Sequence, residues 1–121
     1  MKNSVKRCER SYEIFYFSGT PVLAEVMLLQ PWTLLDVGLN FDVASTQDNE
    51  LVIINRIDTG MNSWLLSYFD PSKLNAPEDV SKVCRFEKGF QANDTVSISF
   101  LNTDQRNITV CVQYEINYDI G

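Results

Sequence analysis

Apolar residues recur at every second position over much of the chain. In the last third, Val96, Ile98 and Phe100 alternate with Thr95, Ser97 and Ser99, and Ile108, Val110, Val112, Tyr114 and Ile116 alternate with Thr109, Cys111, Gln113 and Glu115. A two-residue period sends successive side chains to opposite faces of an extended backbone, so each run predicts a strand with one buried face. The polar segment from Asn102 to Asn107 between them favours a turn, and the two strands are expected to pair as a hairpin. A lone hairpin is only marginally stable, so the rest of the chain has to cover its apolar side.

The upstream pattern supplies that cover. Leu35, Val37, Leu39 and Phe41 alternate with Asp36, Gly38, Asn40 and Asp42. Leu51, Ile53 and Ile57 fall in one phase and Val52 and Ile54 in the other, as in a strand in the middle of a sheet. The turn signal Asp58-Thr59-Gly60 predicts a hairpin between the segments Glu50 to Ile57 and Asn62 to Phe69, with Trp64, Leu66 and Tyr68 sharing a face. Between Val22 and Leu29 a helical stripe through Leu23, Val26 and Met27 stops at Gln30, and the valines bordered by Pro21 and Pro31 favour a strand. Lys82 to Phe86 reads as a short strand followed by a turn through Gly89, and Ala44 to Glu50 as an exposed loop. The stretch from Asp70 to Asp79 carries Pro71 and Pro77, which argue against a central strand, and Leu74 within it is expected to plug one end of the core. About eight short strands with no helix predict an all-β, single-domain antiparallel β-sandwich, jelly-roll-like, over residues 11–121, preceded by an amino-terminal arm at residues 1–10.

One segment does not fit a strand with a single wet face. Tyr12, Ile14 and Tyr16 alternate with Glu13, Phe15 and Phe17, so aromatic bulk stands on both sides. Either the strand is central and covered twice, or one face meets another subunit, where aromatic residues are enriched. Tyr12, Phe15, Tyr16 and Phe17 are accordingly the candidate protein-interface residues. Trp32 and Trp64 with Tyr12, Tyr16, Tyr68, Tyr114 and Tyr118 open a different reading, a carbohydrate-binding module in which exposed rings stack on sugars.

Composition narrows the chemistry. A chain of 121 residues, 45% hydrophobic, fits one domain with a substantial core. The formal net charge of −6 argues against nucleic acid as a partner, because phosphate-tracking proteins need a basic face. The sequence holds neither the ~20-residue apolar run of a membrane-spanning helix nor the apolar core of a secretory signal, which points to a soluble protein made in a cytoplasm. It has no histidine, which removes Ser-His-Asp and Cys-His nucleophilic chemistry and most transition-metal sites. The five glycines are isolated, so there is no phosphate-cradling loop. Cys8, Cys84 and Cys111 are widely spaced and expected as free thiols, with a Cys84–Cys111 pair left open. Asp36 with Asp42, or Asp48 with Glu50, resemble a glycosidase carboxylate pair only in type, and the oxygen-rich segments Asp42 to Glu50 and Asn102 to Asp104 have the ligand chemistry of calcium sites. Solvated strand faces and turns use the same residues, so no enzyme activity, cofactor or metal is expected.

Several segments also resemble a known group. Trp32-Thr33-Leu34-Leu35-Asp36-Val37-Gly38-Leu39, the Asp70-Pro71-Ser72 turn, Phe90-Gln91-Ala92-Asn93-Asp94-Thr95-Val96, and Asn102-Thr103-Asp104-Gln105-Arg106 before a last alternating strand look like small β-sandwich structural proteins of tailed bacteriophages. That resemblance covers roughly residues 18–116 and implies a virion component: a capsid decoration (cement) protein or a head or tail fibre adaptor. Its partners would be other copies of itself, commonly in a trimer, and a major capsid or other virion protein. The carbohydrate-binding module is the alternative from a different class.

Overall fold

The computed structural model describes residues 5–42, 50–71, 80–103 and 105–120. Among these residues there are eight strands: β1 (Val5–Phe17), β2 (Val22–Met27), β3 (Trp32–Phe41), β4 (Val52–Ile57), β5 (Ser63–Phe69), β6 (Val80–Phe90), β7 (Thr95–Phe100) and β8 (Ile108–Ile120). They form two four-stranded sheets, sheet A in the order β1-β8-β3-β6 and sheet B in the order β2-β7-β4-β5. Every pairing is antiparallel. This strand order is the double Greek key of a jelly roll, as the alternation and strand count predict.

The core lies between the sheets and follows the two-residue period. Sheet B contributes Val22, Ala24 and Val26 from β2, Val96, Ile98 and Phe100 from β7, and Val52 and Ile54 from β4. Sheet A answers with Ile108, Val110, Val112 and Tyr114 from β8 and Trp32, Leu34, Val37, Leu39 and Phe41 from β3. The Trp32 ring packs on Phe90 at 4.4 Å and edge-on to Tyr114 at 5.7 Å, which closes one end of the sandwich. Burying a side chain of this size stabilises by about 1.5–3 kcal/mol relative to leaving it in water.

The sequence-based expectations fail in five places, each for a local reason. The β4–β5 hairpin forms, but β7 and β8 do not pair: β7 sits between β2 and β4 in sheet B, and β8 between β1 and β3 in sheet A. The connecting segment therefore crosses from one sheet to the other. It is built around Asn102, fully buried, whose Nδ2 donates to the Gly19 carbonyl at 2.8 Å and the Arg106 carbonyl at 3.1 Å, while its Oδ1 accepts from the Arg106 N–H at 3.1 Å. Arg106 is buried too, its guanidinium 4.4 Å above the Phe41 ring and 5.5 Å from Phe100. Turn-forming residues thus serve as an internal strut between sheets.

Two bulges change the strand phase. In β3 the register shifts between Leu34 and Asp36 against both neighbours, so Leu34 and Val37 face inward and Leu35 leaves the core face on which the simple alternation places it. In the hairpin the register shifts between Ile54 and Asn55, so Tyr68 pairs with Ile53, Trp64 pairs with Arg56, and Leu66 is the extra residue. Trp64, Leu66 and Tyr68 therefore do not share a face. Strand β6 runs through Gly89 to Phe90 instead of turning there, because the ladder with β3 continues to Trp32 opposite Phe90. Strand β1 begins at Val5, paired with Ile120, so residues 5–10 belong to sheet A and not to a separate arm. Leu74 and the loop from Ala44 to Asn49 lie outside the described residues.

Candidate functional site

The outer face of sheet A can be assembled row by row from its register. Tyr12 lies beside Gln113, Asp36 and Arg85 in one row across the four strands, Ile14 beside Cys111, Gly38 and Val83 in the next, and Tyr16 beside Thr109, Asn40 and Ser81 in the third. Strand β1 is at the sheet's edge, and among the described residues no strand pairs with its backbone on the side away from β8. Tyr12, Ile14 and Tyr16 are 61%, 42% and 76% exposed. They form one apolar ridge beside small or polar residues on β8 and β3.

The candidate interface residues divide between the two faces of β1. Tyr12 and Tyr16 point outward, whereas Phe15 and Phe17 are partly buried and pack against the core, their rings stacked at 6.3 Å and 16°. Aromatic bulk on both sides of β1 therefore has two causes, one face closing the sandwich and the other left uncovered. Ile14 and the half-exposed Val83 on β6 belong to the outer face and escaped the sequence reading, because a single aliphatic residue in a strand carries no sign of which way it faces.

A groove of about 480 Å³ opens beside this ridge, lined by Arg10, Leu35, Asp36, Arg85, Phe86, Glu87 and Gln113. Leu35 reaches it because of the β3 bulge. At its rim Arg10 Nη2 lies 3.2 Å from Glu115 Oε1 in an exposed ion pair. The groove is mixed in charge, with Arg10 and Arg85 beside Asp36 and Glu87. Cys111, on the outer face, has its thiol pushed above the ordinary value by burial and by the Asp36 carboxylate, so it is neutral and weakly nucleophilic near pH 7. Burial likewise raises the Cys84 thiol, against lowering contributions from a Ser67 hydrogen bond and Lys82. Cys84 faces inward beside Val37 and Cys111 outward beside Gly38, so they cannot form a disulfide with each other, and both are free.

The other chemical candidates separate in space. Asp36 lies in the middle of β3 and Asp42 just past its end, about 20 Å apart at the usual rise per strand residue, which exceeds the carboxylate separation of either glycosidase mechanism. Asp48 lies outside the described residues, as do Asp104 and most of the segment from Asp42 to Glu50. Asn102 is committed to Gly19 and Arg106. Among the described residues, no three Cys, Asp or Glu side chains gather in a metal-holding group.

At the opposite edge, the β4–β5 turn is organised by Asp58. Its Oδ1 accepts from the backbone N–H of Gly60 and of Asn62, each at 2.9 Å, and its Oδ2 accepts from Asn62 Nδ2 and Trp64 Nε1, each at 3.3 Å. The Asn62 backbone bond is the largest influence on its acidity. Desolvation opposes it, but the Trp64, Asn62 side-chain and Gly60 bonds add to it, and together they hold the carboxyl below its ordinary 3.8. Neither a family model nor a curated protein sequence matches this chain.

Proposed function

We propose that this jelly roll is a non-enzymatic assembly domain, a virion structural subunit of the capsid-decoration or fibre-adaptor kind, which binds copies of itself and a neighbouring virion protein through the outer face of β1. The observation that carries this reading is the ridge of Tyr12, Ile14 and Tyr16, three large side chains exposed in a row on a strand at the edge of its sheet among the described residues. Burying such a ridge gains hydrophobic free energy, and the groove beside it supplies charged and polar partners for register. A standard interface needs about 800 Å² from each partner, which calls for the ridge and groove together. The resemblance of the turn segments to tailed-phage structural proteins points the same way.

Size-exclusion chromatography with light scattering tests this on the wild-type chain and on a Tyr12→Ser/Tyr16→Ser variant. The expected result is a concentration-dependent oligomer that the variant loses while keeping its β-sheet circular dichroism. A wild-type chain that stays monomeric at millimolar concentration and does not bind virion shells lacking it would overturn the proposal.

A further inference from the structure

The hollow beside the β4–β5 turn is lined by Arg56, Asp58, Trp64, Leu65, Leu66 and Lys88 and has a volume of about 480 Å³. We propose that it binds an acidic saccharide, with a pyranose ring stacked on the Trp64 indole and the sugar's carboxylate facing Lys88 and Arg56. This site is independent of the β1 face. Trp64 is 59% exposed, yet its ring is held in place because the indole N–H is tied to Asp58, itself locked into the turn by three further hydrogen bonds. An exposed aromatic plane fixed in advance loses little side-chain entropy when a ligand covers it.

The chemistry of the walls selects the ligand. With its N–H already satisfied, the indole offers its faces, and an electron-rich aromatic plane complements the C–H side of a pyranose. Arg56 uses three of its five N–H donors, Nε and Nη2 on Asp94 and Nη1 on the Gly89 carbonyl, which leaves two for an incoming anion. Lys88 pairs with none of the carboxylates among the described residues. Both Asp58 oxygens accept from donors of its own turn, which leaves Lys88 and the two remaining Arg56 donors as the groups available to an anion. The volume suits a short saccharide, whereas one tryptophan with a charged rim is too small to anchor a stable protein interface.

Tryptophan fluorescence provides the test, because the only other tryptophan, Trp32, is fully buried and reports folding alone. The full chain is titrated with a short oligogalacturonate and with its methyl ester, which keeps the sugar and removes the charge. A saturable emission change is expected with the acid form, and Lys88→Met should weaken it about tenfold or more, equivalent to about 1.4 kcal/mol, while Trp64→Ala, which removes the reporter, should show a loss of the same size by isothermal titration calorimetry. Raising salt to about 1 M should weaken the acid form as well. Circular dichroism checks that both variants fold, and should Trp64→Ala fail to fold, Lys88→Met decides alone. Absence of saturable binding, equal affinity for acid and ester, or a Lys88→Met variant that binds like the wild type would overturn the proposal. None of these outcomes depends on the oligomeric state.

Discussion

Arg56 on β4 donates to Asp94 through both Nε, at 3.1 Å, and Nη2, at 2.5 Å, and both bonds end on one carboxylate oxygen. The same oxygen accepts the Gln91 backbone N–H at 2.9 Å, and the guanidinium lies 5.0 Å from the centre of the Phe90 ring. A residue of sheet B is thereby tied to the turn between β6 and β7, which links the two sheets. The Asp94 side chain is only 3% exposed and that of Arg56 22%.

Removing the carboxylate should consequently be costly. In Asp94→Ala a partly buried guanidinium and the Gln91 N–H lose their acceptor, a loss of about 2–3 kcal/mol for hydrogen bonds to a charged group. For a domain of this size the melting temperature should fall by about 10 °C. Asp94→Asn keeps one acceptor oxygen without the charge and should fall between the two, as measured by thermal and urea melts. Near-wild-type stability in Asp94→Ala would show that the pair contributes little beyond solvent hydrogen bonding.

Strand β1 allows two neighbouring aromatic residues to be contrasted. Phe15→Ala removes a ring packed against the core and should cost about 2–3 kcal/mol, below the full burial value because Phe15 is only partly covered. Tyr16→Ser removes an exposed ring and should change stability by no more than about 0.5 kcal/mol, while weakening self-association. Urea denaturation of each variant, paired with light scattering, separates packing from docking. If Tyr16→Ser is the destabilising one, the inward and outward faces of β1 have been assigned the wrong way round.

That contrast also shows where the sequence was legible. The alternation at Val96, Ile98, Phe100 and at Ile108, Val110, Val112 gave the buried phase correctly, because one covered face imposes a period of two whatever the strand's partner is. Partnership itself leaves no such trace. The Asn102 to Asn107 segment has turn composition whether it closes a hairpin or crosses between sheets, and only the buried contacts of Asn102 and Arg106 tell the two apart. Bulges are equally silent, since Leu35 and Leu66 look like ordinary alternating leucines until the ladder slips beside them. For the candidate interface, the sequence located the unusual strand but not which of its aromatics face out. The fixed pose of Trp64 depends on a hydrogen bond to Asp58 six positions earlier, which residue type alone does not announce.

The Asp58 turn predicts an acid-dependent signal. Its carboxyl is held below 3.8 in the native chain, so the unfolded chain takes up the proton first as pH falls. The stability it contributes is complete above that unfolded value and is lost as pH drops through the lower native one. Trp64 emission should therefore be constant from about pH 7 to pH 5 and change only below about pH 4, the ordinary carboxylate range. Asp58→Asn should be less stable than the wild type at neutral pH, with the gap closing as the solution is acidified. A transition centred well above pH 4 would mean that another group governs the turn.

Gly38 separates stability from association. It sits at the centre of the outer face of sheet A, between Cys111 and Val83, and a Cβ placed there would meet only Val83 Cγ2 at 3.8 Å and the Cys111 carbonyl oxygen at 4.0 Å. Both are ordinary contact distances, and the residue does not have a positive φ. Gly38→Ala should thus stabilise the domain by about 0.4–1 kcal/mol, chiefly by restricting the unfolded chain. Gly38→Val adds a branched side chain that suits a strand but raises the floor of the row from Ile14 to Val83. If that face docks onto another subunit, Gly38→Val should weaken association while the melting temperature holds or rises. A valine variant that assembles like the wild type would confine the contact to the Tyr12, Ile14 and Tyr16 ridge, leaving the middle of the sheet outside it.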